Sequence, residues 1–325
     1  MIVTPAALRF PYSRVLLPRT RLAYIHLRNL LNDAKRDRNA KISGYVTVSL
    51  LDELLIFYLL DGEAVNATLH DPHGSRVLSI AAALERVPAD PEYGEVCFHQ
   101  AEEEQLACMF ATYAAPPEPW PDGLTPSDPQ ALFPHLAATT FDGFVEIVAN
   151  ENVNYLIFRN GAVERTFLTS APHGALIERV SKLFAREGRI GDLRVTRWPI
   201  PAALPVQAPP ALVHAYRELV AGIVTRLVEL GRGEAPAIAE EARVTLCSAH
   251  PVLEGFAVAG RAETEPTADA HALTTGVAAW LREVLWSACD HDANPPEAIF
   301  RELTWDRRHI FQSAGLFDQI PWKAW

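Results

Sequence analysis

The residues best suited to chemistry are few and scattered. His70 and His73, with Asp71 between them, place two imidazoles and a carboxylate close together, a donor set that a divalent metal accepts. No further ligand stands nearby, and Pro72-His73-Gly74 reads equally as turn chemistry at the start of a helix. Cys97 and His99, which share one strand face, and Cys108 further on supply soft ligands without completing a tetrahedral set. The run Cys289-Asp290-His291-Asp292 concentrates more ligand types, and a polar helix terminus accounts for it as well. Glu102, Glu103 and Glu104 precede Leu106, Met109 and Phe110, which suits the acidic first turn of a helix, favoured by the macrodipole, better than a paired acid and base.

The sequence contains no GxxxxGK[ST], no GxGxxG after a strand and no GxSxG, so P-loop nucleotide hydrolysis is excluded. Neither a catalytic residue nor a metal nor a cofactor is expected. A metal-dependent activity around His70 and His73 or Cys289 to Asp292 stands as the second alternative.

The elements that would position these residues follow from a repeat. Gly44-Tyr45-Val46-Thr47-Val48 and Gly143-Phe144-Val145-Glu146-Ile147 are matching strands, and each is followed at the same distance by a hairpin signal, Asp61-Gly62 in the first copy and Asn160-Gly161 in the second. Asp-Gly and Asn-Gly favour type I′ turns because both central residues take positive φ there. Leu54 to Leu60 and Val153 to Arg159 lead into these turns, and Glu63-Ala64-Val65 and Ala162-Val163-Glu164 lead out, which gives three antiparallel strands per copy. Pro72-His73-Gly74 and Pro172-His173-Gly174 then precede segments with helical apolar spacing: Val77, Ile80, Ala81 and Leu84, and Leu176, Val180, Leu183 and Phe184. A closing strand follows at Gly94 to Phe98 and at Gly191 to Val195. Each unit therefore reads as βββαβ behind a leading helix, which is clear only in the first copy.

These strands resemble the PATAN type of domain of bacterial regulatory proteins. Ser43-Gly44-Tyr45-Val46, Ile56 to Val65 and Ile157 to Val163 carry the likeness, which spans residues 15 to 198. The resemblance implies an interaction module tied to signalling, with no catalytic residue to carry over, although no receiver domain is found here.

Prolines mark the joints: Pro116, Pro117, Pro119, Pro121, Pro126 and Pro129 in one interval, and Pro199, Pro201, Pro205, Pro209 and Pro210 in another. Read as semi-rigid spacers that are neither helix nor central strand, they divide the chain into a first repeat at 1–115, a linker at 116–130, a second repeat at 131–198, a linker at 199–210 and a helical region at 211–325. In the last of these, Val213, Tyr216, Val220, Ile223, Leu227 and Leu230 alternate three and four apart, a short heptad seam that suits either packing within its own domain or a homodimer. Ala237 to Ala249, Ala270 to Ala288 and Pro296 to Gly315 read as further helices and Glu254 to Gly260 as a strand. The fold class expected is α+β.

With 325 residues, 49% of them apolar and 21% charged, the chain has the composition of a folded globular protein of two or three domains. No stretch approaches the roughly 20 apolar residues of a membrane span, and no secretory leader is read, so a cytoplasmic protein is expected. The net charge of −11 argues against a general nucleic-acid binder. Arg9 to Lys41 is the exception at +7, read as a solvated basic helix face with Leu22, Ile25, Leu27, Leu30 and Leu31 turned inward. The four cysteines show no framework spacing. The expectation is a non-enzymatic scaffold binding another protein through its tandem units, probed against a small-molecule sensor that uses the cleft between the units or the aromatic C-terminal region.

Overall fold

The hairpin at the centre of each repeat forms as its turn residues dictate. In the computed structural model, which describes residues 8–36, 42–88, 93–169, 175–185, 193–201, 203–258, 266–288 and 295–322, Asp61 and Gly62 have φ of 51° and 81°, and Asn160 and Gly161 have 49° and 75°. Each turn is held from behind: Gly62 N–H donates to the Ile42 carbonyl at 2.8 Å, and Gly161 N–H to that of Phe141 at 3.0 Å. Gly44 and Gly143, the first residues of their strands, are glycine for a different reason. A Cβ would stand 2.1 Å from the His99 carbonyl oxygen in the first case and 2.3 Å from that of Trp198 in the second. In both copies the closing strand lies too near for any side chain.

The first sheet contains β1 (Arg14–Arg21), β2 (Gly44–Ser49), β3 (Leu54–Leu60), β4 (Glu63–Asp71), β5 (Gly74–Leu78) and β6 (Glu95–Gln100), in the order β1-β6-β2-β3-β4-β5. The second contains β7 (Gly143–Ala149), β8 (Asn152–Arg159), β9 (Ala162–Phe167) and β10 (Arg194–Pro199), in the order β10-β7-β8-β9. The run β6-β2-β3-β4 thus matches β10-β7-β8-β9 strand for strand, each pair of neighbours in these runs being antiparallel. Helices α1 (Leu27–Arg36), α2 (Ile80–Arg86) and α3 (Glu103–Ala114) belong to the first copy, and α4 (Pro129–Ala138) and α5 (Leu176–Phe184) to the second.

Several expectations need correction. The basic N-terminal stretch is not one helix face, since β1 occupies Arg14–Arg21, a 3₁₀ turn follows at Leu22–Tyr24, and the α-helix is Leu27–Arg36. Pro18 is tolerated in β1 because that strand lies at the sheet edge. Pro72-His73 starts no helix: it turns β4 into β5, with the His73 N–H on Asp71 Oδ1 at 2.9 Å, and Val77 lies in β5. Its counterpart Pro172-His173-Gly174 lies outside the described residues. The second copy has its leading helix after all, because Pro129 occupies the first turn of α4, where no backbone donor is lost, and Asp128 caps it by accepting from Gln130 N at 2.9 Å. The proline-rich interval before it is pinned to β10, with Glu118 N–H on the Arg197 carbonyl at 2.8 Å and Trp120 Nε1 on that of Val195 at 2.9 Å.

The described chain divides into two compact units, Met1–Val77 with Ala83–Pro205, and Leu78–Ala82 with Val206–Trp325. Apart from Leu78–Ala82, both repeats therefore lie in the first unit, and they share a core. Tyr45, Ile56 and Tyr58 from the first sheet, Leu106, Met109 and Phe110 from α3, and Phe144, Tyr155, Ile157 and Trp198 from the second sheet form one buried cluster. Each fully buried apolar side chain of this kind contributes about 1.5–3 kcal/mol. The other face of the second sheet is covered separately, by Leu132 and Leu136 of α4 and Phe184 of α5 against Val145, Ile147, Leu156 and Phe158. Arg165 on β9 ties the copies together through ion pairs with Glu102 and Glu104 at the start of α3.

The second unit is helical: α6 (Pro210–Glu229), α7 (Ala235–Leu246), α8 (Ala270–Ala288), α9 (Pro296–Thr304), α10 (Arg308–Ser313) and α11 (Leu316–Gln319). The strand expected from Glu254 is instead the end of a 3₁₀ turn, Pro251–Gly255, and Ala259-Gly260 lies outside the described residues. The heptad seam is spent inside this unit. Val213, Tyr216, Val220, Ile223 and Leu227 are buried in its core, Leu230 packs against them, and α6 contacts α7, α8, α9 and α10. Tyr216 also donates its hydroxyl to Thr274 Oγ1 at 2.8 Å. These side chains therefore have partners within their own unit.

Candidate functional site

The most unusual chemistry lies on the shared-core face of the second sheet. Alternation along β7 turns Phe144, Glu146 and Val148 to one side, and the register fixes their neighbours. Ile157, Phe144 and Trp198 form one row across the sheet, Tyr155, Glu146 and Thr196 the next, and Val153, Val148 and Arg194 the third. A polar row is thus set between two largely apolar ones. Phe144 and Trp198 stack at 5.3 Å between centroids, which closes one side of it.

Glu146 is buried, only 6% exposed. Its Oε2 accepts a long hydrogen bond from Thr196 Oγ1 at 3.3 Å and lies 3.6 Å from Arg194 Nη2, an ion pair without a hydrogen bond. Burial raises its pKa, more than Arg194 and Thr196 lower it. Tyr155, fully buried beside it, has a hydroxyl with no hydrogen-bond partner, an arrangement that costs about 1–3 kcal/mol unless something fills it. Burial and then the nearby Glu146 and Tyr113 hold that phenol well above its ordinary pKa.

The first copy supplies the facing wall. His70 on β4, Ser75 on β5, Thr112 and Tyr113 on α3, and Leu8 and Phe10 from the N-terminal segment join Glu146, Val153, Arg194, Thr196 and Trp198 around a cleft of about 260 Å³. His70 Nδ1 pairs with Ser75 Oγ at 2.6 Å. Burial, followed by Arg194, lowers the His70 pKa, so the imidazole is disposed to be neutral. Arg194 is the cation of the cleft, its side chain 60% exposed.

A second, broader feature runs along the β1 edge of the first sheet. Two hollows of about 690 and 490 Å³ share Arg19, Ser49 and Leu51 as lining, the first reaching Arg9, Tyr12, Cys97 and His99 and the second Arg21 and Tyr93. Tyr12, Leu51 and Tyr93 are about half to two-thirds exposed. His99 lies between Tyr12 and Tyr45, at 4.7 and 5.1 Å, with its Nδ1 buried and unpartnered.

Of the ligand sets considered from sequence, His70 is in the cleft, His73 is exposed on its turn, and Cys108 is buried on α3. Among the described residues no group of three or more His, Cys, Asp or Glu is placed to hold a metal, and Cys289 to Asp292 lies outside them. The turn residues Gly44, Asp61, Gly62, Gly143, Asn160 and Gly161 shape the sheets and line neither the cleft nor the hollows. Glu146 was the residue to find: a lone carboxylate at the inward position of an otherwise apolar strand, where the first copy has Thr47. Among the described residues no helix is long and apolar enough to cross a membrane. No protein-family model, curated protein or solved structure matches the chain.

Proposed function

We propose that the chain is a non-enzymatic, cytoplasmic regulatory or scaffold protein, PATAN-like in its tandem half, that docks an acidic partner protein along the β1 edge. The observation that carries this reading is the exposed set of Tyr12, Tyr24, Leu51 and Tyr93 interleaved with Arg14, Arg19 and Arg21 beside an edge strand. Tyr and Arg dominate the energetic centres of interfaces, and an edge strand offers a row of backbone groups to a partner. The polarity of charge supports it too: Arg9 to Lys41 is +7 within a chain of −11. Nucleic acid is not the partner proposed, because the remainder of the chain is acidic.

A photo-crosslinking residue placed at Tyr12 or Tyr93 in the producing cell tests this, with Ile177, 80% exposed on α5, as the control position. One discrete adduct from the first two positions, absent from the third and lost when Arg19 and Arg21 are both changed to Glu, is the expected result. Equal smears from all three positions would end the docking reading. A second reading, a small-molecule sensor, is favoured by one specific observation, the Glu146 cleft.

A further inference from the structure

Residues 8–13 are held in the fold as a bound peptide would be. Arg9 forms a parallel bridge with Asn152 beside the start of β8, its N–H donating to the Glu151 carbonyl at 2.9 Å and its carbonyl accepting from Val153 N–H at 2.8 Å. The next two carbonyls are taken by the first copy. The Tyr45 hydroxyl is aimed at those of Phe10 and Pro11, at 3.1 and 3.0 Å, and Gln105 Nε2 donates to that of Pro11 as well. Tyr45 is 1% and Gln105 3% exposed, so two deeply buried donors are directed at main-chain oxygens, which any sequence offers. Ser13 N–H then reaches the Gln100 carbonyl at 2.9 Å, and β1 begins.

Side chains add the selectivity. Phe10 is buried edge-on to Tyr45, 6.1 Å between centroids, and Pro11 is buried after it, whereas Arg9 and Tyr12 are exposed. Proline suits its place, because it has no N–H to satisfy there and offers only the carbonyl that Tyr45 and Gln105 approach. The segment does not fill the space it occupies. The cleft of about 260 Å³ and the hollow of about 690 Å³ share Leu8 and Phe10 as lining, so these residues stand between two voids of one groove. A stretch held by one aromatic anchor and a few backbone hydrogen bonds opens at less cost than the sheets beside it.

We infer that this groove is a recognition site for an extended segment of a partner protein, an aromatic residue followed by proline, which residues 8–13 occupy in cis and vacate when the partner competes. Backbone pairing at 151–153 sets the register, Tyr45 and Gln105 hold the aromatic and proline carbonyls, and the pocket of Phe10 takes the ring. The site goes beyond the docking of an acidic partner along the outer edge of β1 and does not depend on it. Tethering sets the threshold for exchange: the resident segment is present at an effective concentration of the order of millimolar, so a free peptide competes poorly until the resident is weakened.

The probe is a fluorescent peptide of residues 8–13, Leu-Arg-Phe-Pro-Tyr-Ser, followed by polarisation with the full chain and with two variants that loosen the resident segment. Arg9→Pro, at an exposed position, removes the N–H that donates to Glu151, and Phe10→Ala removes the anchor. Both variants are expected to bind the peptide saturably at one equivalent and at least about tenfold more tightly than the parent. A peptide with alanine in place of its phenylalanine is expected to bind about tenfold more weakly, and Tyr45→Phe combined with Arg9→Pro to weaken binding about threefold or more. Should Phe10→Ala not fold, Arg9→Pro decides alone. Equal binding by the parent and the variants, or none by any of them, would overturn the peptide site. A parent that is dimeric by light scattering and becomes monomeric as Phe10→Ala would overturn the partner and leave exchange of this segment between two copies.

Discussion

Glu146 is where local sequence and global fold disagree, and its titration should show it. Its folded pKa is raised above the ordinary 4.5, so the native state holds this proton more tightly than the unfolded chain does. The associated stability is present in full below the unfolded pKa and is lost as pH rises through the folded one. Glu146→Gln removes that loss, so its urea midpoint should gain on the parent's as pH rises above the ordinary carboxyl range. His70 contributes with the opposite sign: its lowered pKa means stability present above the unfolded value and lost as pH falls, and the comparison subtracts it because both proteins carry it. Parallel midpoints over the whole range would mean that the carboxyl is solvated.

At the scale of elements, α6 shows what a heptad pattern can and cannot say. Val213, Tyr216, Val220, Ile223 and Leu227 were legible as one apolar stripe, yet a stripe specifies only that something must cover it, and here α8 and α9 do. Ile223→Ala should accordingly cost about 2–5 kcal/mol in unfolding and leave the light-scattering mass unchanged. A change of mass without loss of stability would return the seam to an intermolecular role. The hairpins were legible because Asp-Gly and Asn-Gly encode φ locally, and the matching strand order came with them. The leading helix of the second copy was not, because Pro129 reads as a breaker unless its first-turn position is known, and Pro134 sits inside the same helix. The cleft was illegible for a stronger reason: Glu146 meets His70 and Tyr113, 76 and 33 residues before it, only through packing between the two copies, and no local rule reports such meetings.

For the molecule as a whole, the decisive feature is that the two copies are not self-sufficient. The face bearing Phe144, Tyr155, Ile157 and Trp198 is buried against residues of the first copy. A fragment spanning residues 117–205 should therefore bind a hydrophobic dye and lack sharp near-ultraviolet dichroism, while the 8–205 piece melts cooperatively. A natively packed second copy on its own would refute the shared core. The same dependence sets a clock during synthesis. The β6 strand leaves the ribosome about a hundred residues before β10, which at typical elongation rates of about 5–20 residues per second is a delay of about 5–20 seconds. Through that interval Tyr45, Ile56 and Tyr58 have α3 but not yet their second sheet, and nascent chains on neighbouring ribosomes carry the identical open face. Translation speed across residues 115 to 199 thus becomes a determinant of yield, with slow codons in that stretch prolonging the exposure and fast ones shortening it.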